Sequence, residues 1–154
     1  MEDRRKLPEN AGTARILAVD LGSRRIGLAI SDPLGVTAQP LPTLKAENFD
    51  ANVEAVAAVA AEHEAKTIVV GLPLRMNGTA GKEARQAERF AEALRERSQL
   101  PVHTWDERLT TVASEKSLIA AGHRRKRRRA VIDSAASILI LQGFLDSRKR
   151  RTPT

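Results

Sequence analysis

The 154-residue sequence contains no cysteine. That removes disulfides, thiol nucleophiles and cysteine-type zinc sites, and it agrees with a reducing compartment. Tyrosine is absent too, and one Trp with three Phe brings the aromatics to 3%, too few for a protein that binds single strands by stacking successive bases. No run of eighteen apolar residues occurs, so no membrane-spanning helix is expected. Residues 1–14 are charged and lack the apolar centre of a secretory signal, which makes the cytoplasm the expected location. His63, His103 and His123 are scattered without ligand spacing, and Ser31, Ser134 and Ser137 have no histidine base in view, so a serine hydrolase is not supported.

What the chain does have is a core and a lopsided charge. With 42% hydrophobic residues it is long enough for one globular domain, expected over residues 15–146, between a flexible N-terminal tail (1–14) and a flexible basic C-terminal tail (147–154). The net charge is +7. Six bases run without interruption as Arg124, Arg125, Lys126, Arg127, Arg128 and Arg129, and Arg148, Lys149, Arg150 and Arg151 add four. Removing those ten from the 26 basic residues leaves 16 against 19 acids, a net −3. A mildly acidic body with two basic segments suits a polyanion, nucleic acid before an anionic membrane surface. Six adjacent like charges repel one another, so they contribute nothing to folding. A solvated loop is the plain alternative.

Apolar periodicity predicts the elements. Ile16–Leu21 is a central strand, apolar on both faces except at Asp20, and Ile26–Ser31 pairs antiparallel with it across a tight Gly/Ser/Arg turn. A third strand within Val36–Leu44 carries Pro40 and Pro42, which confines it to an edge. Asn48 caps a helix running to about Ala65, with Phe49, Val53, Val56, Ala57 and Ala60 inward. Thr67–Val70 is a short buried strand, and a Gly-rich loop follows. Ala80–Arg97 is a helix with Ala84, Ala87, Ala91 and Leu94 inward. Val102–Trp105 is the last strand. A third helix ends near Gly122, and a fourth spans Val131 to Leu145. The result is an α/β domain, a mixed sheet with helices on both faces.

Three acids stand out. Asp20 lies inside an apolar strand, Glu107 follows another strand, and Asp133 opens an apolar helix. A carboxylate among apolar neighbours is costly unless paired or bound to a cation. Three brought together would hold protons, unless a divalent ion stabilised them as anions. An all-oxygen donor set selects Mg²⁺ or Mn²⁺ over zinc, and two such ions can drive phosphodiester hydrolysis without a protein nucleophile. Each acid also has a structural reading: Asp20 paired with Arg25, Glu107 simply preceding a helix, Asp133 as an N-cap. Arg25, Arg108 and Thr110 flank the acids and, with the run 124–129, are the expected substrate contacts. The loop 71–82 lacks Walker spacing; it is a connector, a phosphate cradle or a substrate gate.

Four segments carry a resemblance: Asp20–Asp32 (DLGSRRIGLAISD), Val70–Thr79 (VGLPLRMNGT), Asp106–Thr111 (DERLTT) and Ile132–Ala136 (IDSAA). In this order, over nearly all of 16–146, the chain resembles the YqgF/RuvX family of the RNase H-like superfamily, described as pre-16S rRNA nucleases and as Holliday junction resolvases. The resemblance implies a five-stranded RNase H-like sheet, the first three strands antiparallel and the last two parallel to the first. It implies that Asp20, Glu107 and Asp133 are catalytic metal ligands for Mg²⁺ or Mn²⁺. Asn77 stands where the family often has Asp, outside the three acids.

The expected function is metal-dependent cleavage of precursor 16S rRNA at its 5′ end, on ribosomal particles or free RNA, by a monomer or weak homodimer. Branched DNA is the alternative substrate, and a resolvase making two symmetric cuts needs a dimer. A sugar-kinase or actin-like nucleotide binder also begins Asp-x-Gly, but needs a duplicated domain that 154 residues cannot hold. A non-catalytic RNA-binding assembly factor on the same fold would gain phosphate affinity by losing the three acids, which this chain retains.

Overall fold

The computed structural model describes residues 14–109 and 135–151. Its centre is a five-stranded sheet of β1 (Arg15–Leu21), β2 (Arg25–Ser31), β3 (Ala38–Lys45), β4 (Ala65–Leu72) and β5 (Val102–Asp106), in the spatial order β3-β2-β1-β4-β5. β1 pairs antiparallel with β2, and β2 with β3; β4 is parallel to β1, and β5 to β4. β3, with its two prolines, takes an edge, where a missing N–H donor costs no ladder bond. Gly22 makes the β1–β2 turn: its N–H donates to the Arg25 carbonyl at 3.1 Å, and a Cβ there would meet that oxygen at 2.5 Å.

Strand alternation divides the core in two. Leu17 and Val19 of β1, Ile26, Leu28 and Ile30 of β2, and Ile68 and Val70 of β4 face α1 (Phe49–Glu62) and α2 (Lys82–Ser98). Ile16, Ala18, Ala29 and Val69 face the other way, against Ile138, Ile140, Leu141 and Leu145 of α3 (Ala135–Arg151). Both faces are therefore covered, as a β1 apolar on both sides requires.

Asn48 caps α1, its side chain accepting from Ala51 N–H at 2.8 Å. The inward stripe holds for Val53, Val56, Ala57 and Ala60 but not for Phe49, which is 45% exposed. As the first helical residue, Phe49 reaches the core only through an edge-on contact with Phe90. Asn52 is buried instead, bonded to both the N–H and the carbonyl of Glu47. α1 also stops earlier than Ala65: Glu64 adopts φ +58°, and Ala65 already belongs to β4. Ala84, Ala87, Ala91 and Leu94 are buried on α2 as the pattern requires, joined by Phe90. α3 continues to Arg151 rather than ending near Leu145, because Lys and Arg are good helix formers and nothing in 146–151 breaks the helix. The third helix expected up to Gly122 lies outside the described residues, apart from one 3-10 turn at Glu107–Leu109. Among the described residues no helix is long and apolar enough to cross a membrane.

Candidate active site

The site lies where the parallel strands β1, β4 and β5 end, on the face that carries α3. Asp20 follows Ile16 and Ala18 along one side of β1, so its side chain leaves the sheet toward α3. Val19 pairs with Val70, which sets Asp20 beside Gly71 of β4 one residue on, and Gly71 pairs with Trp105 of β5. Past Trp105 the chain tightens into the 3-10 turn that carries Glu107.

Gly71 decides where Glu107 goes. A Cβ on Gly71 would lie 2.5 Å from Glu107 Oε2 and 2.5 Å from Ile140 Cδ1. The Glu107 carboxylate therefore occupies the space that a side chain at 71 would fill, and it reaches back over β4 toward Asp20. Burial, then the Asp20 charge, then the Asp106 charge push the Glu107 carboxyl up to about 7. Burial also raises Asp20. Pairing with Arg25 would lower the Asp20 carboxyl, which burial instead raises. Arg25 is exposed at the first position of β2.

Asp106 and Arg108 clamp the turn. Asp106 accepts from Arg108 N–H at 2.9 Å, from Nε at 3.1 Å and from Nη2 at 2.7 Å, and this bonding holds its carboxyl below the usual range. Arg108 Nη1 also donates to the Met76 carbonyl at 3.2 Å, tying the loop 73–81 to the residue after Glu107. The guanidinium expected to contact substrate also makes these internal bonds and stays partly exposed. The loop itself is closed by Gly78 N–H to Arg75 O (2.8 Å), Arg75 N–H to Thr79 O (3.0 Å), and Asn77 Oδ1 accepting from Thr79 N–H and Oγ1–H. Asn77 fills a local turn role that needs only one side-chain oxygen. Beneath the site, Trp105 packs edge-on against Phe144, and Gly143 of α3 lets the indole approach the helix backbone.

Of the sequence-predicted site residues, Asp20 and Glu107 come together. Asp133, Thr110 and the run Arg124, Arg125, Lys126, Arg127, Arg128 and Arg129 lie outside the described residues. Among those described, no three potential metal ligands assemble. Two half-buried carboxylates, both raised by burial, are hard oxygen donors of the kind that fits Mg²⁺ or Mn²⁺. Sequence reasoning missed Gly71 and Asp106. The signal for Gly71 was a glycine within an apolar strand, which marks close approach of another group.

The chain is similar to known proteins in sequence and in fold. The sequence model of the family described as "RuvX: Holliday junction resolvase" matches residues 14–147. A protein of Geobacillus kaustophilus named "Putative pre-16S rRNA nuclease" is 50% identical over 137 residues, covering 88% of this chain and 99% of that one. A relative with the same name in Desulforamulus reducens is 44% identical over 133 residues, covering 86% and 97%. Among solved structures, T. thermophilus RuvC in complex with a Holliday junction substrate superposes with a TM-score of 0.61 at 13% identity, covering 89% of this chain and 96% of RuvC. The fowlpox virus Holliday junction resolvase gives 0.57 at 14% identity, covering 86% and 99%. At those identities the likeness is one of fold, the RNase H-like sheet with its mixed strand order.

Proposed function

Because the chain belongs to the RuvX family, we propose that it is a cytoplasmic nuclease that hydrolyses phosphodiester bonds with divalent metal ions and trims precursor 16S rRNA at its 5′ end. The observation that carries this reading is the pair Asp20 and Glu107: two carboxylates on one face of the sheet, with Glu107 pushed up to about 7 by burial and then by the Asp20 charge. Asp20, Glu107 and Asp133 would hold the metal. When bound, Mg²⁺ or Mn²⁺ supplies an activated water and stabilises the leaving oxygen.

The chain's own residues do the rest. Gly71 leaves room for the Glu107 carboxylate. The Asp106–Arg108 clamp fixes the turn from which Glu107 projects. Near pH 7 Glu107 holds a proton for part of the time and must release it before it can ligate a cation, so metal uptake strengthens as pH rises through 7. Arg124, Arg125, Lys126, Arg127, Arg128 and Arg129, nine to four residues before Asp133 in the chain, provide sequence-independent attraction to phosphates.

The test uses purified protein with Mg²⁺ or Mn²⁺ and two substrates, an RNA spanning the 16S 5′ precursor and a four-way DNA junction. Expected is cleavage of the RNA, abolished by Asp20→Asn with RNA affinity unchanged or tighter. In cells depleted of the protein, the wild-type chain restores mature 16S 5′ ends and Asp20→Asn does not. Cleavage of the junction alone would assign branched DNA instead, the activity in the family's description. Cutting of neither substrate, with normal rRNA ends in the substituted cells, would leave a binding factor.

A further inference from the structure

The loop 73–81 places its largest apolar side chain in solvent: Met76 is 91% exposed. A flexible connector would explain that exposure, but this loop is tied down. Two backbone bonds cross it, Asn77 closes it from within, and the Met76 carbonyl accepts from Arg108 Nη1. Gly78 takes φ +88°, the left-handed conformation that completes the turn after Met76 and that a side chain rarely adopts. Arg108 is the neighbour of Glu107, so the bond to Met76 fixes the loop tip to the turn that bears Glu107. Leu109, on the other side of Arg108, is 58% exposed. Two exposed apolar residues thus adjoin Arg108, Met76 through its backbone carbonyl and Leu109 as the next residue in the chain.

An exposed apolar side chain on a loop bonded to the turn that bears Glu107 is available to an apolar part of a bound ligand. A nucleic acid bound there through its phosphate offers only two such parts, the sugar and the face of the base. Methionine is among the side chains that insert between base steps, and its unbranched thioether adapts to different bases. Resting on the nuclease reading above, the geometry points to Met76 as a base-contacting residue. It packs against the face of a nucleobase flanking the scissile phosphate and holds that base out of its stack. The loop is then neither gate nor phosphate cradle but a fixed arm that Arg108 sets at a constant distance from Glu107.

The experiment pairs Met76→Ala and Met76→Leu with RNA substrates in which single nucleotides around the cleavage position are made abasic. Because the side chain is exposed, neither variant disturbs folding. Expected is a loss of about fivefold in kcat/KM for Met76→Ala, the lower end of what an aromatic side chain stacked on one base contributes. Met76→Leu recovers most of it. On the substrate abasic at the contacted position, wild type and Met76→Ala cut equally. Equal rates on intact RNA, or the same loss on every abasic substrate, would overturn the proposal. A second readout does not need cleavage: 2-aminopurine at the same position brightens when wild-type protein binds without divalent ion and stays dim with Met76→Ala. Equal brightening with both would also overturn it. A chain that cuts no RNA but brightens the probe refutes the nuclease reading and keeps the base contact.

Discussion

Replacing Gly71 by Ala separates the demands of stability from those of chemistry. The new methyl would lie 2.5 Å from Glu107 Oε2 and 2.5 Å from Ile140 Cδ1, where ordinary contact needs about 3.5 Å. Both atoms are the far ends of flexible side chains, so each can withdraw by about 1 Å without moving the backbone. Overpacking of that size costs about 1–3 kcal/mol, and the loss of glycine's freedom in the unfolded chain returns about 0.4–1 kcal/mol. The net destabilisation should be about 1 kcal/mol, a fall in Tm of a few degrees. Function has no such latitude. A catalytic group displaced by about 1 Å costs about 100-fold in rate. The assays are thermal unfolding, Mn²⁺ binding by calorimetry, RNA cleavage, and a ¹³C titration of the Glu107 carboxyl. Expected is a folded protein with cleavage down about 100-fold, weakened Mn²⁺ binding, and a Glu107 pKa that falls from about 7 as the group leaves its half-buried place beside Asp20. Wild-type cleavage and Mn²⁺ affinity in Gly71→Ala would refute the claim that this glycine makes room for the acid.

Two further outcomes follow from the same geometry. Glu107, at about 7 when folded against an ordinary 4.5, binds its proton more tightly in the native state, so its stabilising contribution is full below pH 4.5 and is lost as pH rises through 7. Solvent screening of this partly exposed group cuts the nominal 3 kcal/mol to about 1–2 kcal/mol. Chemical denaturation of metal-free protein should register that loss between pH 5 and 8, and Asp20→Asn should lower the Glu107 pKa without returning it to 4.5, since burial is the larger cause. Gly143→Ala would set a methyl 3.0–3.1 Å from the Trp105 ring and should cost about 1–2 kcal/mol. The single tryptophan reports this directly, and unchanged emission with unchanged stability would show that α3 does not need that approach.

Much of this was legible in the residues because the relevant signals are local. Asp20 interrupts a strand that is apolar on both faces, and alternation alone sends it to the side opposite Leu17 and Val19. The prolines of β3 name an edge, and Asn48 names a helix start. What stayed hidden depends on contacts between distant parts of the chain. Gly71 sits in a stretch that also contains Gly78 and Gly81, so its proximity to a turn masked its place inside a strand. Nothing in DERLTT says that Asp106 and the Met76 carbonyl accept from the Arg108 guanidinium. Glu64 ends α1 in a left-handed conformation that a glutamate rarely adopts, and no glycine announced it.

The sheet's two sides are unequally furnished. Among the described residues the α1/α2 side holds the larger apolar cluster, and α3 rests on a smaller one built from Ile16, Ala18, Ala29 and Val69. α3 also backs the site, since its Ile140 Cδ1 and the Glu107 carboxylate share the space above Gly71. Warming should therefore loosen α3 first and silence the enzyme while the rest of the sheet is still intact, an inactivation that precedes melting.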